Sequence, residues 1–185
     1  MESKVTHRVK LTPKSLEVDG NCLAEAAEGD SFLTQLYRKY KLDYPKFFKM
    51  DVLCKAGFIA SEILLAQEGG DRFVPRADRA VILFNRYSSL HADSMFQRTS
   101  ADKESFYPSP SVFVYTLPNI VTGEISIRNK YHGESSFLLL PEKDQGTMLQ
   151  AVERAFLDPE TTSVLAGWVE AVSDNNFEVE IAIFE

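Results

Sequence analysis

Residues 115–146, YTLPNIVTGEISIRNKYHGESSFLLLPEKDQG, contain the pattern that decides the fold. Pro118 suits the first turn of a helix, where its missing N–H is not needed. Apolar side chains then recur at helical spacing and predict an inward face of Ile120, Val121, Ile125 and Ile127. A strand over residues 124–127 is a competing interpretation. Residues 135–140 form a continuous apolar run, which is typical of a central strand covered on both faces.

The turn that follows this strand reads Pro141-Glu142-Lys143-Asp144. A helix, a glycine-bounded turn and an apolar strand that ends in a tight turn are typical of a segment that presents an enzyme's nucleophile. A reactive side chain would be expected in this turn, which contains Glu142-Lys143-Asp144 and neither a thiol nor a hydroxyl. The segment therefore combines the frame of an active site with a charged turn at its centre.

The rest of the chain alternates between strand patterns and helix patterns. The strand patterns cover one or two short strands over residues 6–18, a central strand over 79–85, a strand over 164–169 and a final strand over 177–184. The helix patterns cover helical segments over 23–40, a buried helix over 51–67 and a helix over 147–156. Between them lie extended segments at 44–48 and 108–110 and a mixed helix and loop region over 87–107. The final strand alternates strictly, which predicts a half-solvated edge strand in a hairpin with its predecessor. Together these elements predict an α/β fold with a mixed sheet between helix layers and one antiparallel edge strand.

Composition limits the class of protein. With 185 residues, 44% hydrophobic and 25% charged, the chain is expected to form one globular domain over residues 1–185. Its net charge of -7 opposes binding to nucleic acid. No apolar run approaches the roughly 20 residues of a membrane helix, and the first fifteen residues lack the apolar core of a signal peptide. Two cysteines without CxxC spacing favour a reducing compartment, so a cytoplasmic location is expected.

The sequence predicts neither a cofactor nor a metal. No glycine-rich phosphate loop is present, and His7, His91 and His132 are widely separated without the spacing of metal ligands. Cys54 lies in the middle of a predicted helix, where a packed small side chain is favoured over a nucleophile. His91 and Asp93 could form an oriented pair, which leaves a small enzyme with other chemistry as one alternative.

Residues 110–136 carry a resemblance to a known family. PSVFVYTLPNIVTGEISIR (residues 110–128), followed by HGESS (132–136), resembles the P-x-x-F…P-N-x-x-A-G-x-I-A-I-R…G-P segment of the β-ketoacyl-ACP synthases, which leads into the strand before their catalytic cysteine. Three further segments resemble the family and occur in the family's order. They are KFFKMD (46–51), the strand at 79–85 and VLAGWVE (164–170), the last of which is similar to the family's V-x-A-G-G-x-E. The resemblance covers residues 42–172.

This resemblance implies a thiolase-like fold, and specifically the N-terminal half of a ketosynthase, with a five-stranded mixed sheet covered by helices. The family's cysteine falls at Glu142, and its two histidines belong to a second half. A carboxylate cannot replace the thiolate that holds the acyl chain, so we expect no condensation by this chain. Relatives of the chain-length-factor type also lack the cysteine and act by pairing with a competent partner.

The same resemblance implies partners and a binding surface. In the family, the strand before the cysteine pairs across a dimer axis, so a homodimer or a heterodimer with a ketosynthase-type subunit is expected in fatty acid, polyketide or aryl-polyene-type biosynthesis. The expected partner-binding residues are Ser135, Ser136, Phe137, Leu138, Leu139, Phe113, Tyr115 and Asn119. A module that binds an acyl chain or an acyl carrier protein near Phe113 and Tyr115 is a further alternative.

Overall fold

The computed structural model describes residues 3–101 and 107–185, in which strands and helices build one seven-stranded mixed sheet. The strands are β1 (Val5–Leu11), β2 (Ser15–Val18), β3 (Asn21–Glu25), β4 (Arg79–Asn85), β5 (Ser135–Leu139), β6 (Ser163–Ser173) and β7 (Asn176–Phe184). The helices are α1 (Phe32–Lys39), α2 (Val52–Leu65), α3 (Leu90–Ser100), α4 (Pro110–Phe113), α5 (Ile120–Asn129) and α6 (Gln145–Ala155), with 3-10 turns at Pro45–Lys49 and Val114–Thr116. No described helix is long and apolar enough to cross a membrane.

The strand order is β3-β2-β1-β7-β6-β4-β5. β4 pairs in parallel with both β5 and β6, while the remaining pairs are antiparallel. The predicted hairpin of the last two strands is confirmed, with Gly167 opposite Ile181. β4 is completely buried, as its uninterrupted apolar run predicts.

Helices cover the two faces of the sheet unequally. α2 lies in the larger core, where 13 of its residues are buried, and the Asp51 carboxylate caps it by accepting the Cys54 N–H at 3.0 Å. On the opposite face α6 packs over β4 and β6, in a smaller core around Phe84, Val152 and Trp168. The predicted helices at 51–67 and 147–156 are therefore confirmed.

The predicted number of strands is wrong, because the sheet has seven strands rather than five. β3 occupies residues that were predicted to start a helix. Asp19 and Gly20 both have positive φ, at 50° and 80°, so the chain turns back at once and Asn21 pairs with Val18. An Asp-Gly pair is a preferred two-residue hairpin turn, which is the physical reason for the extra strand.

The predicted edge strand is also wrong. β7 lies inside the sheet between β6 and β1, and the edges are β3 and β5. Its alternation arises because Val179 and Ile181 enter the larger core while Glu178 and Glu180 face the side that α6 covers only in part. Conversely, the run at 135–140 was predicted to be a central strand but forms an edge.

Smaller corrections concern local elements. Residues 45–49 form a 3-10 turn rather than an extended segment, with Pro45 at its start. Residues 124–127 are helical, which excludes the strand interpretation, and Ile127 points outward with 66% exposure. The mixed region predicted at 87–107 contains α3, while its residues 102–106 lie outside the described part of the chain.

Candidate partner-binding edge

Within residues 3–101 and 107–185, no strand pairs with the outer backbone edge of β5. Its register with β4 sets Leu83 opposite Phe137, and the flanking bonds run from the Val81 N–H to the Glu134 carbonyl and from the Leu140 N–H to the Asn85 carbonyl. In a parallel pair, alternate residues direct both backbone groups toward the neighbouring strand. The even-numbered residues of β5 therefore bond to β4, and the backbone groups of its odd-numbered residues, Ser135, Phe137 and Leu139, point away from the sheet.

The side chains of β5 are more exposed than those of a covered strand. Leu138 and Leu139 have 40% and 55% of their surface exposed, Ser135 is exposed, and Ser136 is half-buried with a hydrogen bond to Glu134 at 2.7 Å. Phe137 packs against the larger core. An apolar strand edge of this kind is a ready template for pairing with another chain.

Asn119 lies at the carboxyl end of the parallel strands. The C-terminal end of α5 lies near the start of β4. Gly133, which follows α5 by four residues, is so close to β4 that an added Cβ would be 2.4 Å from the Arg79 carbonyl oxygen. The other end of α5 lies near the end of β4, where the Ser89 hydroxyl donates to the Thr116 carbonyl at 2.6 Å. α5 also packs against β5, and Asn119 is exposed just before that helix.

Phe113 and Tyr115 belong to a different cluster. Phe113 is exposed and packs on α3, with its ring 5.3 Å from that of Phe96. Tyr115 is buried, and burial raises the pKa of its phenol to about 12. The structure thus leaves Asn119 exposed before α5 and places Tyr115 in the interior.

The turn after β5 has a structural role. Asp144 caps α6 by accepting the Gly146 N–H at 3.0 Å and the Thr147 hydroxyl at 2.6 Å, and these bonds lower the pKa of its carboxyl. Lys143 forms ion pairs with Glu178 at 2.8 Å and Glu180 at 2.7 Å on β7. Glu142 is exposed at the tip. These contacts tie the turn to the sheet and to α6.

Neither cysteine lies at this turn. Cys54 is buried in α2, and desolvation raises the pKa of its thiol well above the ordinary value. Cys22 is exposed on β3, which is the opposite edge of the sheet. Six strand spacings separate β3 from β5, a distance of about 29 Å at about 4.8 Å each. The described residues therefore place no thiolate where β5 ends.

The histidines are dispersed in the fold. His7 pairs with Asp19 at 2.8 Å, His91 is half-buried in the first turn of α3, and His132 is exposed before β5. Asp93 accepts from the Ser89 hydroxyl at 3.3 Å rather than orienting His91. Over residues 3–101 and 107–185, no group of three or more histidine, cysteine and acidic side chains is arranged to hold a metal ion.

A buried charge network was missed by sequence reasoning. Glu62, whose side chain is 1% exposed, pairs with Arg72 at 2.6 Å and Arg128 at 3.3 Å. Nearby, Glu124 accepts from the Tyr44 hydroxyl at 2.7 Å and pairs with Lys46. The available signal was a carboxylate within the apolar stretch of each helix, which requires a partner when it is buried. The network fixes α5 on α2, and so holds the helix that supports β5.

No protein-family model matches the chain, and no curated protein matches it in sequence. Among solved structures, the ishigamide ketosynthase/chain length factor is similar over 100% of this chain and 62% of its own, with 18% identity and a TM-score of 0.74. A ketosynthase (ApeO) in complex with its chain length factor (ApeC) from Xenorhabdus doucetiae matches over 100% of this chain and 79% of its own, at 12% identity and a TM-score of 0.63.

A β-ketoacyl synthase from Burkholderia phymatum STM815 matches over 100% of this chain and 59% of its own, at 13% identity and a TM-score of 0.66. The chain thus spans about 60% of the length of two of these three neighbours. At these identities the likeness is one of fold. The chain accordingly has a thiolase-like, ketosynthase-like fold.

Proposed function

We propose that this chain is a non-catalytic subunit that pairs through β5 with a ketosynthase-type subunit, in the manner of a chain length factor. The observation that carries the proposal is the unpaired edge of β5, with Leu138 and Leu139 exposed beside a turn that lacks a nucleophile. An edge of this kind would aggregate if it stayed uncovered, whereas a second strand would satisfy its backbone groups and bury its leucines. The partner would then supply the reactive thiolate.

Two further observations support this role. The side chains of the turn at 141–144 make structural contacts: Asp144 caps α6, and Lys143 pairs with Glu178. In addition, the neighbours in fold include a ketosynthase solved in complex with its chain length factor. The pathway served would be one that extends acyl chains, as in fatty acid, polyketide or aryl-polyene-type biosynthesis.

The test is co-expression with a tagged ketosynthase-type subunit from the same genome, chosen because a cysteine follows its own apolar strand. We expect the untagged chain to co-purify at a one-to-one ratio. Leu138→Glu should reduce the recovered chain at least about tenfold, because the new carboxylate would be buried without a partner at the interface. The matched control is Leu157→Glu, which changes a leucine that is 80% exposed just beyond α6.

Both variants should keep the circular dichroism spectrum of the isolated chain, since both positions face solvent there. Equal recovery of Leu138→Glu and wild type would overturn β5 as the interface. A wild-type chain that stays unpaired in the presence of the ketosynthase-type subunit would overturn the proposed function.

A further inference from the structure

A polar cavity opens at the end of the sheet opposite to the turn after β5. Its volume of about 420 Å³ is within the range of small-molecule sites, and its lining is mostly polar. Arg79, the first residue of β4, lies in its wall. The turn after β5 lies at the other end of the parallel strands, beyond Leu139, which is opposite Asn85. The cavity is therefore separate from the β5 edge.

Three arginines line the cavity, and each is held in place by a carboxylate. Arg79, whose side chain is 1% exposed, donates to the two oxygens of Glu68 at 2.6 and 2.5 Å. Arg76 donates to both oxygens of Asp78 at 2.9 Å. Arg72 belongs to the buried charge network described above. The guanidinium groups are thus fixed before any ligand arrives, which lowers the entropy that binding costs.

The same arginines keep donors that the described residues do not accept. Nη1 of Arg76 makes no hydrogen bond within residues 3–101 and 107–185. Nε of Arg72 is buried without a partner there. A guanidinium carries only donors, so the partner that would complete these bonds has to be an acceptor. Carboxylate and phosphate oxygens match the fork of a guanidinium best.

Two carboxylates limit which anions this cavity can take. Asp71 and Glu185 also line it, and both are exposed. Glu68 is already paired with Arg79, so its charge is balanced. A second negative group on a ligand would be repelled by Asp71 and Glu185, whereas a positive group would be attracted. The lining therefore favours a molecule with one oxyanion and a cation.

The loop over residues 66–78 carries two of the arginines in an unusual conformation. Phe73 has a φ of 66°, in the left-handed region that a bulky side chain rarely adopts. The guanidinium carbons of Arg72 and Arg128 lie 4.8 and 4.4 Å from the centre of its ring. A backbone of this kind persists only where its surroundings hold it, and it recurs at sites that bind ligands.

We propose that this cavity binds a small molecule that has one carboxylate or phosphate group and a cationic remainder. The oxyanion accepts hydrogen bonds from Arg76 and the neighbouring guanidinium groups, and the cation lies toward Asp71 and Glu185. Binding ties the loop over residues 66–78 to the start of β4. The site does not depend on the proposed pairing through β5, because it lies at the other end of the strands.

Titration calorimetry at constant ionic strength tests the site with two pairs of probes. Phosphoethanolamine and β-alanine carry an ammonium group beside their oxyanion, whereas inorganic phosphate and propionate do not. We expect saturable binding, at millimolar concentration or tighter, for one of the two amines. The amine that binds more tightly shows whether phosphate or carboxylate is preferred. The matching probe without the ammonium group should bind at least about tenfold more weakly.

Three variants assign the binding to the cavity. Arg76→Gln should weaken the preferred amine at least about tenfold, because a charged hydrogen-bond donor is lost. Arg86→Gln is the matched control: it removes the same charge just beyond the other end of β4, about 23 Å from Arg79, and should bind like the wild type. Asp71→Asn should strengthen the binding of the probe without the ammonium group and reduce the preference for the amine.

The outcomes that contradict the site are equally specific. If neither amine binds the wild type, or if Arg76→Gln binds as tightly as the wild type, the cavity is not the site. If the preference for the amine is the same in Asp71→Asn and in the wild type, the cationic remainder is wrong. Circular dichroism checks the fold of Arg76→Gln, and if that variant does not fold, the comparison of Asp71→Asn with the wild type decides.

Discussion

At the scale of single residues, charge inside the helices fixes the part of the molecule that supports β5. Glu62 is the only carboxylate of α2, and its two oxygens are divided between Arg72 and Arg128. Arg128 also donates to the Asp43 carbonyl at 2.9 Å. Burial of these charges is tolerated because each has a partner, so removal of one partner is more damaging than removal of an exposed pair.

Glu62→Ala should therefore lower the free energy of unfolding by about 3 kcal/mol, because it leaves two partly buried guanidinium groups without their carboxylate. Urea denaturation followed by circular dichroism measures this change. Glu153→Ala, at an exposed position on α6, is the control and should change it by less than about 0.5 kcal/mol. A similar effect of the two substitutions would show that the network contributes little.

Alkaline pH should destabilise the protein. Burial raises the pKa of the Cys54 thiol well above its ordinary value, and burial raises the pKa of the Tyr115 phenol to about 12. A raised pKa means that the folded state holds its proton more tightly than the unfolded state does, so this contribution is complete below the unfolded pKa and falls as pH rises. The urea midpoint should decline from about pH 9, where an unfolded thiol titrates.

Cys54→Ala checks the assignment of the alkaline effect. With the thiol removed, the decline in the urea midpoint should begin nearer pH 10, where an unfolded tyrosine titrates. If the wild type and Cys54→Ala lose stability over the same pH range, the buried thiol is not responsible for the first part of the loss.

At the scale of elements, hydrophobic pattern predicted what each segment is but not which neighbours it has. The run at β4 and the wide apolar face of α2 were identified correctly, because burial on several sides leaves no polar positions. Alternation in β7 correctly separated its two faces. Alternation shows which face of a strand is buried, however, and not which strands lie beside it. β7 lies inside the sheet because β1, from the start of the chain, pairs with its second edge.

The N-cap of α6 should be a measurable part of the stability of the turn after β5. Asp144→Ala removes the acceptor of the Gly146 N–H and should lower the midpoint of urea denaturation. Asp144→Asn keeps a capping side chain and should recover most of that loss. If the two variants are equally destabilised, the charge of Asp144 matters rather than its cap.

Hydrogen exchange should report on the β5 edge residue by residue. In the isolated chain, the amides of Ser135, Phe137 and Leu139 should exchange rapidly because their N–H groups point away from β4, while that of Leu138 is protected. Binding of a ketosynthase-type subunit should slow the three outward amides. NMR with deuterium exchange measures each amide separately, and unchanged rates in a stable complex would mean that pairing uses another surface.

At the scale of the whole molecule, the strand order places β3 and β5 at opposite edges of the sheet. Cys22, the exposed one of the two cysteines, therefore lies far from the turn after β5. The sequence predicted that the family's nucleophile position is a glutamate, and the structure places Glu142 at the exposed tip of that turn. The order of the strands could not be read from the sequence, since it depends on long-range pairing among strands that are each compatible with several neighbours. Three strands came from a region where only one or two were expected, and their presence puts Cys22 on the far edge.

This separation predicts where an acyl group is found in the proposed complex. After incubation with an acyl thioester, intact-mass spectrometry should detect the acyl adduct on the ketosynthase-type subunit and an unmodified mass for this chain, because Cys54 is buried and Cys22 lies about 29 Å from β5. Iodoacetamide provides the control: it should alkylate Cys22 in the folded chain and Cys54 only after denaturation. An acyl adduct on this chain that survives Cys22→Ser would mean that a thiol or another nucleophile operates here, and the assignment as a non-catalytic subunit would be wrong.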